Sequence, residues 1–172
     1  MTARNRKRRG FTLVELLVVI VIIGVMTAFA VPQYAKTLEN NKAEEAVAFL
    51  NMVATANRIY ALDHGNAYTS GELVGGCNTC ACGSGSAPCG AATGCDLVAC
   101  KYLASGDFDN KPYRFAAAAN VTGAVGPCAV AAAARVACAK RRSGTYAAWA
   151  YDAYTTGVIV VFGGSGAPAP TQ

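Results

Sequence analysis

The sequence predicts an α+β protein, in which a long N-terminal α-helix packs on a small antiparallel β-sheet and a disulfide-stapled, cysteine-rich loop connects the two. Three features of the 172-residue chain predict this fold. A helix-compatible run extends from Phe11 to Leu62, apolar at first and amphipathic later. A glycine-rich connection at 65–109 holds six of the eight cysteines. Short strand-like runs, bounded by turn residues, occupy 113–162.

The positive charge of the chain is concentrated before the helix. The formal net charge is +5, from 15 basic and 10 acidic side chains. Five of the basic residues precede Gly10, so ten charges of each sign remain from Phe11 onward. A nucleic-acid-binding domain carries its basic residues on its docking face, so nucleic acid is not expected as a partner. The content of 53% hydrophobic and 15% charged residues also excludes a disordered chain.

Residues 11–35 form a segment whose only charge is Glu15. As a helix, a segment of this length extends about 37 Å, enough to cross a hydrocarbon core of about 30 Å. The segment therefore predicts a transmembrane helix. Because basic flanks stay in the cytoplasm, the leader at 1–10 directs the rest of the chain out of it.

Three interpretations of this segment compete. A secretory signal peptide would be cleaved after Ala28-Phe29-Ala30, and a permanent anchor would stay uncleaved. Neither explains Glu15, because a carboxylate in an apolar segment costs about 2.5 to 3.5 kcal/mol unless it is paired. In the third interpretation, cleavage between Gly10 and Phe11 creates an α-amino group near Glu15. An identical neighbour in a helical stack then supplies its own amine to that carboxylate.

The string from Arg9 to Leu16, Arg-Gly-Phe-Thr-Leu-Val-Glu-Leu, resembles the processing and assembly signature of type IV pilins and type II secretion pseudopilins. The resemblance implies that a prepilin peptidase cleaves after Gly10 and that Phe11 becomes the N-methylated N-terminus. It also implies that Glu15 neutralises the amine of a neighbouring subunit during assembly.

Gly24 and Pro32 also match the family, whose helix often loosens between such positions in the filament. Helix propensity independently predicts that the α-helix is weakest between these two residues, because glycine costs a helix about 1 kcal/mol and proline about 3 kcal/mol.

Residues 36–64 predict the amphipathic half of the same helix. Their apolar positions recur at spacings of three and four, which defines one stripe that packs on the chain's own sheet. Asp63-His64-Gly65-Asn66 predicts the helix end, with Gly65 just beyond it. The stripe consists of Leu38, Ala43, Ala46, Val47, Leu50, Val53 and Ala54.

The globular head is predicted at 65–162, with its sheet at 113–162. Its strands are predicted at 113–119, about 129–140, 146–151 and 158–162, with a hairpin turn at 141–144. The glycine- and proline-rich residues 163–172 predict a flexible tail.

The even number of cysteines on the exported side predicts four disulfides. About 105 connectivities are open to eight cysteines, and the spacing does not select one. A metal site is the alternative, because Cys77-x2-Cys80 is half of a zinc pattern. Free or intermolecular thiols are a third interpretation. The residues concerned are Cys77, Cys80, Cys82, Cys89, Cys95, Cys100, Cys128 and Cys138.

The other candidate residues favour structural roles. His64 is the only histidine and is predicted to cap the helix or lie on the surface. The string Asp107–Asn110 predicts a turn rather than a calcium site, because it lacks the glycine and glutamate of a calcium loop. The basic residues Arg135, Lys140, Arg141 and Arg142 predict a solvated hairpin, with weak DNA contact as the alternative.

The predicted function is that of a pilin: a structural subunit without cofactor or catalytic residues, and not an enzyme. The resemblance implies an inner-membrane precursor, an assembly platform and a homo-oligomeric extracellular filament. One alternative is a periplasmic major pseudopilin. Pseudopilins tend to carry Asp-Pro-Trp-Gly near 107–115 and a calcium site further on, and neither is evident. An exported or anchored cysteine-rich binding module is the alternative of another class.

Overall fold

The computed structural model describes residues 10–85, 89–90, 92–117, 134–161 and 166–170. Contacts divide the chain into two compact units, Met1–Glu39 and Asn40–Gln172. The elements in chain order are α1 (Leu13–Asp63), β1 (Gly71–Glu72), a 3-10 helix (Gly75–Thr79), α2 (Asp96–Ala99), β2 (Tyr113–Ala117), β3 (Arg135–Arg141), β4 (Ala150–Tyr154) and β5 (Ile159–Val161).

In the second unit, β1 to β5 form one antiparallel sheet in sequential order. The register places Ala139 of β3 opposite Phe115 of β2 and Tyr151 of β4. These side chains share one apolar core with Leu50 and Val53 of α1. The predicted fold class, a long helix on a small antiparallel sheet, is therefore confirmed.

The face of α1 that packs on the sheet follows the predicted stripe from Ala43 to Ala54 and continues to Ala61. The prediction is wrong at Leu38, whose side chain is 44% exposed. The predicted helix end is confirmed: Gly65 has φ +62° and the Asn66 N–H donates to the Ala61 carbonyl at 2.7 Å. This hydrogen bond satisfies a carbonyl that the end of a helix otherwise leaves unpaired.

One polar residue, Asn57, lies inside the apolar face of α1 and is fully buried. Its Nδ2 donates to the carbonyls of Thr69 and Val136 at 3.2 and 2.8 Å. Its Oδ1 accepts from the backbone N–H and the hydroxyl of Thr69, both at 2.9 Å. The single amide thus joins α1 to the segment before β1 and to β3. The apolar periodicity of α1 does not predict this role of Asn57.

The structure corrects the third predicted strand. Residues 146–148 lie in a turn, in which Trp149 N–H donates to the Tyr146 carbonyl at 2.9 Å, and β4 begins at Ala150. The start of β4 is set by its hydrogen-bonded pairing with β3. The alternation of apolar and polar residues along one strand carries no information about that pairing. Sequence analysis also missed β1 and α2. The predicted strand residues 118–119, 129–133 and 162 lie outside the described residues.

Three disulfides close the loop between β1 and β2: Cys77–Cys95, Cys80–Cys89 and Cys82–Cys100. Cys77 and Cys80 lie in different disulfides, so the zinc alternative for their spacing is wrong. Cys138 is also disulfide-bonded, and Cys128 lies outside the described residues. The loop also lies close to the sheet at Gly94. A Cβ on this residue would clash with the Gly71 carbonyl oxygen of β1, so only glycine fits there.

A buried ion pair lies on β3 and β4. Arg135 Nη1 donates to Asp152 Oδ2 at 3.2 Å, and both side chains are only 1% exposed. Burial raises the pKa of Asp152, and the neighbouring guanidinium opposes this rise. Arg135 is therefore not part of an exposed basic patch, contrary to the predicted solvated hairpin.

Part of the predicted flexible tail is in contact with the second unit. Ala167 packs against the core, and the Tyr151 hydroxyl donates to the Pro168 carbonyl at 3.2 Å. The composition of the tail gives no sign of this contact, because it depends on an aromatic residue from β4. Residues 163–165 and 171–172 lie outside the described residues, and the flexibility of the tail stays a prediction.

We expect Asn57→Ala to lower the free energy of unfolding by about 3 kcal/mol, because it leaves buried donors and acceptors of Thr69 and Val136 unpaired. Urea unfolding of the disulfide-intact protein measures the change. The matched control is Asn51→Ala on the exposed face of the same helix. Equal stability of the two variants would contradict the role of Asn57.

We expect the buried disulfide Cys77–Cys95 to be reduced at least about tenfold more slowly than Cys82–Cys100, because a thiol reductant must reach the sulfur and Cys82 is exposed. Mass spectrometry of alkylated peptides during mild reduction measures the order. The same reaction in denaturant is the control, and there the difference should vanish. If Cys77 were alkylated before Cys82 in the native protein, the assignment of Cys77 as buried would be wrong.

Candidate functional site

The start of α1 is organised around Thr12 and Glu15. The Thr12 N–H and hydroxyl donate to Glu15 Oε2 at 2.8 and 2.9 Å. The Glu15 N–H donates back to the Thr12 hydroxyl at 3.3 Å. Because α1 begins at Leu13, Thr12 is the N-cap and Glu15 the third helical residue, which is a capping box.

Sequence analysis identified Glu15 but missed Thr12. The available signal was the pattern Thr-x-x-Glu before an apolar run, which is the usual sign of a helix N-terminus. The capping box gives Glu15 a local role, because its carboxylate stabilises the positive end of the helix dipole. Any role of Glu15 between subunits must therefore be separated from this local one.

The junction between Gly10 and Phe11 lies directly before the capping box and outside the helix. Phe11 is 78% exposed, and a Cβ placed on Gly10 would meet no atom within 4 Å. The structure thus leaves this peptide bond accessible.

The rest of the first unit is an apolar helix surface without cover. One described helix, α1, has a window long and apolar enough to cross a membrane, and none of that window is buried. Its large aliphatic side chains from Leu13 to Val31 are all exposed. A helix that is apolar all round needs lipid or other helices as its surroundings.

Gly24 and Pro32 lie within this uncovered part of α1. The helix is continuous through both residues in the isolated chain. A Cβ on Gly24 would point into open space. Any loosening of the helix between these two residues therefore stays a prediction about the assembled state.

The basic residues near the β3–β4 turn hold the backbone of the loop before β2. Arg142 donates to the carbonyls of Lys111 and Phe108 at 3.0 and 2.9 Å, and Arg141 donates to that of Pro112 at 2.8 Å. These guanidinium groups act as structural donors. The arrangement does not favour the DNA-contact alternative.

The remaining polar candidates also have structural partners. Asp107 accepts from the N–H and the side-chain amide of Asn110, and these hydrogen bonds lower the pKa of Asp107. Asp109 accepts from the Gly75 N–H at 3.0 Å. His64 stacks on the Tyr60 ring, with centroids 3.8 Å apart. Within the described ranges, no group of three His, Cys, Asp or Glu side chains is placed to hold a metal ion.

Comparison with known proteins assigns the N-terminal segment. Residues 5–31 match the family model described as the prokaryotic N-terminal methylation motif. The chain is 39% identical over 56 residues to the type IV major pilin protein PilA of Myxococcus xanthus, covering 33% of this chain and 26% of PilA. It is 36% identical over 61 residues to the type II secretion system core protein G of Pseudomonas aeruginosa, covering 36% and 43%.

A longer alignment joins the chain to the type IV major fimbrial protein FimA of Dichelobacter nodosus, 30% identical over 106 residues, or 58% of this chain and 65% of FimA. No solved structure matches the chain significantly. The chain spans less than two thirds of the length of each of these relatives. It carries the N-terminal signature shared by type IV pilins and type II secretion pseudopilins, and the resemblance seen in the sequence is confirmed.

Proposed function

We propose that the chain is the precursor of a structural subunit of a type IV pilus-like extracellular filament. The observation that carries the proposal is the first unit itself. Over residues 11–35 it presents an uncovered apolar segment whose only charged side chain is Glu15, next to an accessible Gly10–Phe11 junction. The match to the methylation motif and the likeness to pilins support this function.

Processing is the first proposed step. The basic leader at 1–10 keeps the N-terminus in the cytoplasm while α1 lies in the inner membrane. A prepilin peptidase cleaves between Gly10 and Phe11, and the new amine of Phe11 is N-methylated. Cleavage removes five basic residues and leaves equal numbers of acidic and basic side chains.

Assembly is the second step, carried out by an inner-membrane assembly platform. Helices of identical subunits replace lipid around the apolar half of α1. The carboxylate of Glu15 pairs with the Phe11 amine of a neighbour, because an unpaired charge in such an apolar core is costly. The same pair sets the register between subunits. Gly24 and Pro32 mark where the helix loosens in the filament.

A major pseudopilin of type II secretion is the second candidate. The likeness to core protein G, of similar identity and extent to the pilin matches, favours it. Its pseudopilus would remain in the periplasm. Electron microscopy of cells that express the chain separates the two, since only a pilin forms long surface filaments. An exported cysteine-rich binding module is not favoured, because the relatives are filament and secretion proteins.

We expect the mature N-terminus, measured by mass spectrometry of the protein from its native membrane, to be methylated Phe11. A mature chain that begins at Val31 would instead indicate a signal peptide. One that begins at Met1 would indicate an uncleaved anchor. Either of these two results would contradict the proposed processing.

We expect Glu15→Gln and Glu15→Ala to lower the filament yield at least about tenfold, because each leaves the neighbour's amine without its counter-charge in an apolar core, at a cost of about 3 to 5 kcal/mol. Glutamine can still accept from the Thr12 N–H, so Glu15→Gln keeps the capping box and removes only the charge. Sheared filaments, quantified by immunoblot, give the yield. The ratio of mature to precursor chain should stay unchanged.

Thr12→Ala is the matched control, because it removes the cap hydroxyl and keeps the carboxylate. The loss of an N-cap costs a helix about 1 kcal/mol. We expect filament yield close to that of the unmodified chain. Poor assembly of Thr12→Ala, together with normal assembly of Glu15→Gln, would assign Glu15 to helix capping and refute the pairing.

A further inference from the structure

The C-terminal residues 167–170, Ala-Pro-Ala-Pro, lie on a groove of the second unit. Ala43, Glu44 and Val47 of α1 and Tyr151 of β4 line the groove, and Pro168 to Pro170 complete its lining. Ala167, Pro168 and Pro170 are half-buried, whereas Ala169 is exposed. The segment therefore alternates between inward and outward residues at its C-terminal end, as an extended peptide does on a surface.

The backbone chemistry of the segment suits this groove. Proline fixes φ near −65°, and a residue before proline is restricted to extended conformations. The sequence Ala-Pro-Ala-Pro is thus biased toward polyproline II before it docks. A proline residue has no N–H to donate, so such a segment offers mainly carbonyl oxygens. Its groove must supply apolar surface and a hydrogen-bond donor.

Tyr151 supplies both. Its ring belongs to the apolar core, and its hydroxyl donates to the Pro168 carbonyl at 3.2 Å. The residue is 0% exposed, although the partner of its hydroxyl lies in the C-terminal segment. Burial raises the pKa of Tyr151 to about 12, in agreement with a hydroxyl that is covered. Aromatic-lined grooves recognise proline-rich peptides by the same combination.

We propose that the groove of Ala43, Val47 and Tyr151 is a binding site for a proline-rich peptide and that the chain's own residues 167–170 are its resident ligand. A ligand on a short tether is present at an effective concentration of about 1 mM or more. A site with millimolar affinity is therefore occupied about half of the time or more in the intact chain. It can still release the segment to an added peptide.

The test is the binding of a labelled peptide, Gly-Ala-Pro-Ala-Pro-Thr-Gln, measured by fluorescence anisotropy. The peptide is added to two unlabelled proteins: the full-length chain in detergent and a chain that ends at Gly166. We expect the shortened chain to bind with a Kd on the order of 1 mM, and the full-length chain at least about twofold more weakly, because its own segment competes at an effective concentration similar to that Kd. Equal binding by the two chains would overturn the proposal.

Two controls test the chemistry of recognition. A peptide with both prolines replaced by alanine should bind at least about fivefold more weakly, because it loses the preset conformation. Tyr151→Phe should weaken binding about fivefold through loss of one hydrogen bond, whereas Tyr154→Phe on the same strand should not change it. Equal binding of the two peptides would show non-specific contact and refute the site.

A second variant guards against misfolding of the shortened chain. The full-length double variant Pro168→Ala/Pro170→Ala should bind the added proline peptide as the shortened chain does. Its Tyr151, identified by difference from Tyr151→Phe in alkaline spectrophotometric titration, should ionise at a lower pH than Tyr151 of the intact chain titrated in the same way, because the hydroxyl is less covered. An unchanged Tyr151 pKa together with no binding of the peptide would overturn the proposal.

Discussion

The packing of the apolar face of α1 on the inner face of the sheet is the contact on which the second unit depends. The helix contributes small and aliphatic side chains between Ala43 and Ala61. The sheet contributes Phe115, Tyr151 and alanines that allow close approach. Asn57 adds direction to this otherwise non-directional contact. Its four hydrogen bonds fix where along the helix the sheet and the segment before β1 must lie.

A different constraint governs the first unit, where the helix has no cover of its own. An apolar surface of this extent is stable only in lipid or among other helices. Glu15 is the only charged residue of the apolar segment 11–35. The capping box with Thr12 holds its carboxylate at the helix start in the isolated chain.

The loop between β1 and β2 is held by covalent links as well as by apolar packing. Three disulfides close it, and Leu97, Leu103 and Phe108 from the same stretch are buried in the core. Arg141 and Arg142 donate hydrogen bonds to carbonyls of the loop before β2. The proline-rich residues 167–170 cover Tyr151, an arrangement that replaces another strand or helix over that part of the core.

The sequence by itself determined the long helix, its change from apolar to amphipathic, its end just before Gly65, the sheet class and the N-terminal signature. These features depend on periodicity, caps and short motifs, which are local along the chain. The tertiary structure alone decided the disulfide pairs, the start of β4, the role of Asn57, the burial of Arg135 and the docking of the tail. Each of these is a contact between residues far apart in the chain, and local propensity carries no information about which distant partner lies opposite.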